Sequence, residues 1–552
     1  RGARAVSRIA AGPGWFSISR QDPEDRFQVQ ATLWAPADID DPIEVMQVEV
    51  VNNSKSTISF LPYAAIPLFA RSADNVRDHR HVTALLHRAR VHDCGVTVRP
   101  TMTFDERGHK LNKLEYTVLG VGPQGKKPAG IWAVQEQFLG EGGNYAAPAA
   151  VWNFEQAPRI KEIAGHEAIG GFRFSRITLK GGARARFVLV LGISTSPKAV
   201  QRRLRWAQNG KKVAASLEFT KKHWLKQIGR VSFQSPDSRF NNWMTWVNFQ
   251  PMLRRFYGNS FLPQFDYGRG GRGWRDLWQD RLAQLLSDPA SVRPALLHNY
   301  GGVRIDGSNA TIIGKDGTFI ADRNNIPRTW MDHGIWPTHT TLMYIDQTGD
   351  AEFLLQDREY FRDPQTFRCR KLDAGWSESY GYALRTHKKD VYRGTVLEHM
   401  LVQNLTAFFN VGEHNVCRME GADWNDGLDM AEKRGESVAF TAFYAWNLMR
   451  LADIVCALAC RGHKRFYLAE ELGLLLDRIP GHKKVSYLSA KAKTRRLEKY
   501  TERVAGDVSG RKICVSVEDL AGDLVDKYCD LAARVRKQEW VKAGPAAFFN
   551  GY

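Results

Sequence analysis

The segment GADWNDG at residues 421–427 combines two carboxylates, one tryptophan and two glycines in a stretch too polar for a core. A polar segment bounded by glycines is typical of a loop, and loops often carry catalytic groups. An aspartic acid beside a tryptophan, here Asp423 or Asp426 on either side of Trp424, can have its pKa raised by apolar surroundings, and such an acid can protonate a departing glycosidic oxygen. The alternative is a turn in which Asn425, Asp426 and Gly427 only satisfy backbone geometry.

A second candidate is YGRGGRGWRDLWQDRLAQLL, residues 267–286. Its glycine-rich start, with Arg269 and Arg272, could bind an anion, because free backbone N–H groups and guanidinium groups both favour phosphate. It lacks the Lys-Ser or Lys-Thr pair of the phosphate loop of nucleotide hydrolases. Asp276 and Asp280 lie four apart and share one face of the predicted helix. The alternative is a helix-entry loop with intrahelical salt bridges, such as Asp276 to Arg272. A different face carries the predicted buried stripe, Trp278, Leu282, Leu285 and Leu286.

The third candidate is DRNNIPRTWMDHGIWPTHTT, where Asp332 and His333 lie between Trp330 and Trp336. This order suits a sugar cleft, since polar groups can bind hydroxyls while aromatic rings cover the sugar faces. A metal site is disfavoured, because His333 and His339 are six residues apart and out of line on any single helix. A buried structural histidine is an equally good account of either one. The polar loop RIDGSNATIIGKDG, upstream, receives no role.

The elements that would position these groups differ between the two ends of the chain. Residues 1–195 show β-branched, partly alternating runs with frequent glycine and proline, which predicts an antiparallel β-sandwich. IEVMQVEVVNNSKSTISFLPYAAIPLF is predicted to form a hairpin around NNSKS, and ARFVLVLGIS a buried strand. Residues 196–235 have helical spacing and are predicted to be a helical linker.

Helical patterns dominate residues 236–552. One helix is predicted to begin at the N-cap Thr395 and to stop at Gly412, and another to run from Ser437 to Gly462. Both are apolar over a wide face, as inner helices of a closed α-helical barrel would be. The predicted fold class is therefore an N-terminal β-sandwich followed by an (α/α)6 barrel that is incomplete at its C-terminus.

Composition narrows the partners of this 552-residue chain. It has 16 tryptophans and a formal net charge of +19, but its Lys and Arg are scattered, and the basic tract near residue 490 reads as a solvated helix. We therefore expect no nucleic-acid partner. Seven widely spread cysteines without a CxxC pair indicate reduced thiols and a cytoplasmic protein. No long apolar run predicts a membrane span.

Taken together and in this order, the three segments resemble the inverting β-glucoside phosphorylases of glycoside hydrolase family 94, the cellobiose phosphorylase group. The most specific element is GADWNDG, and the resemblance implies that Asp426 is the general acid and that Trp424 faces the sugar. GWRDLWQD is similar to the family's donor-binding segment. This similarity implies sugar contacts for Arg275, Asp276 and Asp280.

The resemblance also implies a phosphate contact for Arg269. Asp332 and His333 are predicted to bind the sugar because of their position between Trp330 and Trp336. The implied reaction is phosphorolysis of a β-linked gluco-oligosaccharide to α-glucose 1-phosphate, with inversion. Inorganic phosphate is the nucleophile, and neither a cofactor nor a metal is expected. A homodimer is expected from the family. Two alternatives stay open: an inverting hydrolase, which needs a base carboxylate facing Asp426, and a non-catalytic glycan-binding protein.

Compared with this family, the chain resembles an internal portion of a longer protein. Its relatives continue into the last barrel helices, a phosphate-binding His and Thr, and a C-terminal β-domain. We therefore expect the 552-residue stretch alone not to turn over sugar.

Overall fold

The computed structural model describes residues 6–22, 24–70, 83–105, 108–257, 272–314, 317–321, 329–421, 431, 434–481 and 484–550. These residues form two compact units. The first comprises described residues up to Phe249, and the second comprises those from Gln250 onward.

The first unit is built from antiparallel strands. They are β1 (Val6–Gly12), β2 (Trp15–Gln21), β3 (Phe27–Trp34), β4 (Ile43–Asn52), β5 (Ile58–Phe60), β6 (Tyr63–Leu68), β7 (His87–His92), β8 (Gly95–Pro100), β9 (Met102–Asp105), β10 (Gly108–Leu111), β11 (Glu115–Val121), β12 (Gly130–Val134), β13 (Glu162–Ala164), β14 (Ala168–Arg173), β15 (Ile177–Leu179) and β16 (Arg184–Ser194). A nine-stranded sheet has the order β1-β2-β3-β4-β16-β11-β8-β7-β13, and a three-stranded sheet the order β12-β14-β6.

The two sheets enclose one apolar core. Val96, Val98, Val118, Phe172 and Leu189 are almost fully buried in it. A Cβ added to Gly170 in β14 would lie 2.8 Å from Val118 Cγ1 of β11. The sheets therefore approach closely at a position where any larger side chain would clash. The predicted β-sandwich is confirmed.

The predicted hairpin around NNSKS is wrong. Both runs form strands, but β4 pairs with β3 and β16, β5 with β15, and β6 with β14. Asn52, at the end of β4, explains the separation. Its Nδ2 donates to Ser56 O at 2.8 Å and to Leu179 O at 3.0 Å, so the chain leaves one sheet for another strand pair instead of folding back.

Helices follow the last strand of the sandwich. They span Lys198–Ala207, Gly210–Ile228 and Ser238–Tyr257, and the first unit also has short helices at Gln135–Leu139 and Ala149–Trp152. The domain boundaries at residues 195 and 235, which limit the helical linker, stay predictions.

The second unit is predominantly helical. Its helices are Trp274–Ser287, Pro289–Tyr300, Ile335–Thr348, Val396–Phe409, Val438–Cys460, Ala490–Arg503 and Val517–Gln538. Short antiparallel strands connect them: Arg272–Gly273, Ile312–Ile313, Phe319–Ile320, Asp357–Glu359, Gln365–Thr366, Lys371–Leu372, Arg393–Thr395, Arg465–Ala469, Lys512–Ser516, Trp540–Ala543 and Ala546–Phe549. The predicted order, a β-sandwich followed by a helical domain, is confirmed.

Helix Val396–Phe409 lies at the centre of the second unit, with all of its side chains buried. Thr395 is its N-cap as predicted, because the Thr395 side chain accepts a hydrogen bond from Glu398 N. The predicted stop at Gly412 is wrong: the helix ends at Phe409. Asn410 takes the C-cap position, and its N–H bonds to Thr406 O and Ala407 O.

Replacing Thr395 by alanine is expected to lower the free energy of unfolding by about 1 kcal/mol, because one backbone N–H of the first turn loses its acceptor. Chemical denaturation of the two proteins measures the difference. Thr395→Ser, which keeps the hydroxyl, should recover most of it.

The expectation that no apolar run is long enough to span a membrane needs a correction at one helix. Helix Val438–Cys460 is long and apolar enough to cross a membrane, by length and composition alone. Core helices pass the same test. Here the helix carries Arg450 and Asp453 near its middle, and its buried face includes Tyr444, Leu448 and Leu451. It therefore has the character of a core helix of the second unit.

The basic tract near residue 490 also differs from its interpretation as a solvated helix. In helix Ala490–Arg503 the Lys493 side chain is fully buried, and its Nζ pairs with Asp530 at 2.8 Å. Lys527 is buried as well and pairs with Asp477 at 3.2 Å. Part of the positive charge of the chain is thus neutralised inside the second unit.

Candidate active site

Helix Trp274–Ser287 presents the donor-binding candidates. Its first residue is anchored by a 3.0 Å hydrogen bond from Trp274 N to Thr311 O. Asp276 and Asp280 are each only 6% exposed. Both carboxylates are therefore buried, while the alternative of intrahelical salt bridges, such as Asp276 to Arg272, stays open. The predicted buried stripe holds at Trp278 and Leu285 but fails at Leu286, which is 64% exposed.

The Arg275 side chain meets the third candidate segment. Its Nε makes an ion pair with Asp332 Oδ2, and its guanidinium lies over the Trp330 ring at 5.1 Å from the centroid. Trp336 Nε1 donates to the same Asp332 oxygen at 2.8 Å. Asp332 is 1% exposed, so its carboxylate holds Arg275 and Trp336 in fixed orientations. Two segments that are separate in the sequence thus converge.

His333 is buried beside this pair. Burial lowers the pKa of His333 to about 4, because the charged imidazolium would lose its hydration. Asn309 Nδ2 lies 3.1 Å from His333 Nδ1; with the amide donating, the ring proton is on Nε2. His333 O accepts from Trp274 Nε1 at 3.0 Å. His333 is therefore a neutral group that can donate a hydrogen bond at ordinary pH.

The buried histidines predict acid sensitivity of the fold. The folded-state pKa of about 4 for His333 lies below its unfolded value, so the unfolded chain binds more protons between these two pKa values. Protonation of this histidine therefore leaves the free energy of unfolding unchanged above its unfolded-state pKa, and decreases it as the pH falls from there toward the folded-state pKa. The slope is about 1.4 kcal/mol per pH unit for one histidine. His399, whose pKa burial also lowers to about 4, adds a similar share.

Urea denaturation at pH 7 and pH 5 measures this dependence. His333→Gln should reduce the difference in unfolding free energy between the two pH values. An unchanged difference would contradict a neutral buried His333.

The segment at residues 304–314, to which the sequence analysis assigned no role, packs against the central helix and supports the site. Asp306 Oδ1 accepts from Ser308 N at 2.9 Å, and Arg304 forms a buried two-bond pair with Asp363. At Gly307, with φ +82°, a Cβ would lie 2.0 Å from Thr406 Oγ1. The Asp-Gly-Ser turn signal could have located this loop, but not its contact with His333 through Asn309.

The remaining candidates, Arg269, Trp424 and Asp426, lie outside the described residues. The described chain ends before the last two at Gly421, whose N–H donates to Thr329 O at 2.9 Å. Glu420 forms an antiparallel bridge with Trp330. The start of the GADWNDG segment is therefore attached next to Trp330, whose ring contacts Arg275. The described ranges contain no group of three or more His, Cys, Asp or Glu side chains suited to a metal ion.

Two family models match the chain. "Glycosyl hydrolase 94, supersandwich domain" matches residues 21–209, and "Glycosyl hydrolase 94 superfamily, catalytic domain" matches residues 377–465. The chain belongs to glycoside hydrolase family 94. The catalytic-domain match of this family 94 chain includes the central helix and the GADWNDG segment.

Curated relatives are similar over part of their length. The chain is 27% identical over 317 residues to the cyclic beta-(1,2)-glucan synthase NdvB of Rhizobium meliloti, a match covering 56% of this chain and 10% of that protein. It is 24% identical over 337 residues to the N,N'-diacetylchitobiose phosphorylase of Vibrio furnissii, covering 56% of this chain and 37% of that protein. The chain thus spans about a tenth of the first relative and just over a third of the second.

Among solved structures, a bacterial glucoamylase complexed with acarbose aligns with a TM-score of 0.47 at 10% identity, covering 90% of this chain and 58% of that chain.

Proposed function

We propose that the protein containing this chain is an inverting glycoside phosphorylase that converts a β-linked gluco-oligosaccharide and phosphate into α-glucose 1-phosphate and a shortened sugar. The main observation behind the proposal is that side-chain and backbone contacts connect the three candidate segments. Arg275 pairs with Asp332, and Trp330, against which Arg275 lies, is bridged to Glu420. Membership of family 94 and similarity to a protein named as a phosphorylase support phosphorolysis as the type of reaction.

The proposed chemistry needs one acid. A phosphate oxygen attacks the anomeric carbon from below, while the bond from that carbon to the glycosidic oxygen breaks. Asp426 gives its proton to the leaving oxygen and then regains a proton from solvent. Because phosphate is already nucleophilic at neutral pH, no second carboxylate is required as a base. Arg269 is proposed to contact the phosphate.

The donor sugar is proposed to lie against the start of helix Trp274–Ser287. Arg275 is held by Asp332 and can direct N–H donors at sugar hydroxyls, while the buried Asp276 and Asp280 accept from hydroxyls. Neutral His333 adds a donor at Nε2. Asp332 then acts by orienting Arg275 more than by touching the sugar. Trp424 is proposed to cover one sugar face.

The hydrolase alternative requires a carboxylate base facing Asp426 across the sugar. In Asp332, Oδ2 already accepts from Arg275 and Trp336, so only Oδ1 could take a proton from water in that role. A non-catalytic glycan-binding protein would keep the tryptophans and have no use for the acid.

The synthetic direction tests the proposal. The full-length gene product is incubated with α-glucose 1-phosphate and a panel of glucose and β-1,2-, β-1,3- and β-1,4-linked glucose disaccharides, and released phosphate is measured. We expect release that depends on one class of acceptor. The proposal fails if no acceptor releases phosphate while β-linked oligosaccharides are hydrolysed in its absence.

A further inference from the structure

A buried ion pair joins Arg368 to Glu420. Arg368 Nε donates to Glu420 Oε1 at 2.8 Å and Nη2 donates to Oε2 at 2.7 Å. The two side chains are 6% and 7% exposed. Burial lowers the pKa of Arg368, but the carboxylates of Glu420 and Asp306 outweigh it and hold the pKa above its ordinary value, so the guanidinium stays charged. Two parallel hydrogen bonds fix orientation as well as distance.

Thr329 binds the backbone on both sides of this ion pair. Its hydroxyl donates to Arg368 O at 3.1 Å, and its carbonyl accepts from Gly421 N at 2.9 Å. The bridge between Trp330 and Glu420 adds a third connection. Three chain segments that are distant in sequence are thereby tied to one another at the residue before Gly421.

Both ends of the ion pair have left-handed backbone. Phe367, Arg368 and Cys369 have φ of +52°, +57° and +62°, and Glu420 has φ of +53°. Residues with a Cβ avoid this region, and it persists where surrounding contacts over-determine it. Here Asp306 Oδ2 accepts from Arg368 N at 2.7 Å and holds the first turn. The surrounding contacts therefore hold both residues of the ion pair in a backbone conformation that such residues avoid.

The other side of the same segment is fixed by a short stem, which we define as residues 417–419 and 435–437. Met419 N donates to Gly435 O at 3.0 Å, and Ser437 N donates to Cys417 O at 2.9 Å. The chain that carries Asp426 therefore leaves and returns at one place. Directly before GADWNDG, Glu420 is the residue whose side chain is anchored, and Arg368 is its charged partner.

We propose that Arg368 is a positioning residue for proton donation. By clamping Glu420, six residues before Asp426 in the sequence, it fixes the starting point of the segment that holds the acid. The inference rests on the proposed function, in which Asp426 protonates the leaving oxygen. A proton donor that is slightly displaced loses rate mainly where the leaving group needs its proton.

The test compares two leaving groups in phosphorolysis by the full-length gene product. With a β-linked oligosaccharide the leaving sugar oxygen needs a proton. With β-glucosyl fluoride, phosphate bonds to the anomeric carbon as the C–F bond breaks. Fluoride leaves as a stable anion and needs no proton, because HF is far more acidic than a sugar hydroxyl. Arg368→Lys keeps the charge but loses the two-bond fork. We expect kcat for the oligosaccharide to fall about 10- to 100-fold with little change in KM. The rate with the fluoride should stay within about threefold.

Glu420→Gln provides a second variant for the case in which Arg368→Lys does not fold, and the same split between substrates is expected. The matched control is Arg203→Lys in the first unit. Arg203 Nη2 donates to Asp41 at 2.5 Å, and their side chains are 1% and 3% exposed. This control loses a comparable pair of buried guanidinium–carboxylate hydrogen bonds. Its rates relative to the parent should be the same for the two leaving groups.

The outcomes separate the inference from the proposed function. Equal slowing of both substrates, or unchanged rates with both, in the folded Arg368 or Glu420 variant overturns the positioning role. A parent protein that forms no glucose 1-phosphate from either substrate overturns the proposed function and the inference with it.

Discussion

Asp426→Asn is expected to keep the fold and to lower kcat for phosphorolysis of an oligosaccharide by on the order of 10²-fold or more, because asparagine cannot give a proton to the leaving oxygen. Steady-state rates at saturating phosphate measure the loss. The melting temperature of the variant should match that of the parent.

Asp423→Asn is the matched control, since it removes a carboxylate from the same segment without removing the proposed acid. Its effect should be clearly smaller. Activity of Asp426→Asn within a few-fold of the parent would rule out Asp426 as the acid. A larger loss of kcat in Asp423→Asn than in Asp426→Asn would indicate that Asp423 is the proton donor.

Asp332→Asn is expected to affect both stability and catalysis. The substitution removes the buried negative charge that faces Arg275, and breaking one side of a buried pair costs about 3 kcal/mol of unfolding free energy. Because Arg275 also loses its fixed orientation, kcat/KM for the donor should fall on the order of 10²-fold. Chemical denaturation and initial rates on the folded protein measure the two effects separately.

Asp346→Asn controls for the loss of an ordinary ion pair. Asp346 pairs with Arg450 at 2.8 Å, and its side chain is 51% exposed, so the expected change is about 1 kcal/mol or less with unchanged kinetics. A destabilised Asp332→Asn that keeps the parental kcat/KM would show that Asp332 stabilises the fold without orienting the donor subsite.

Local signals in the sequence predicted local structure well. Thr395 and Ser437 are both N-caps, and each accepts a hydrogen bond from the backbone three residues later. These interactions depend only on neighbouring residues, so spacing reveals them. The strand ARFVLVLGIS and the change from β-structure to helices were likewise predicted from patterns among neighbouring residues.

Pairing between distant residues could not be read in this way. NNSKS looked like a hairpin turn, but the partners of β4 are β3 and β16, and the choice depends on packing between sheets. The pair Arg275 with Asp332 is 57 residues apart, and Arg368 with Glu420 is 52 apart. Charged side chains are usually exposed, so composition gives no sign of a buried Arg368 or Lys493.

The anomeric configuration of the product tests the central claim most directly. The full-length gene product is incubated with a β-linked gluco-oligosaccharide in phosphate buffer, and the sugar products are followed from the first minutes by proton and phosphorus NMR. Our account predicts α-glucose 1-phosphate and the shortened sugar in equal amounts from the start, with neither formed by Asp426→Asn on the same timescale. Cleavage of the oligosaccharide at an equal rate with and without phosphate, with no glucose 1-phosphate formed, would contradict it.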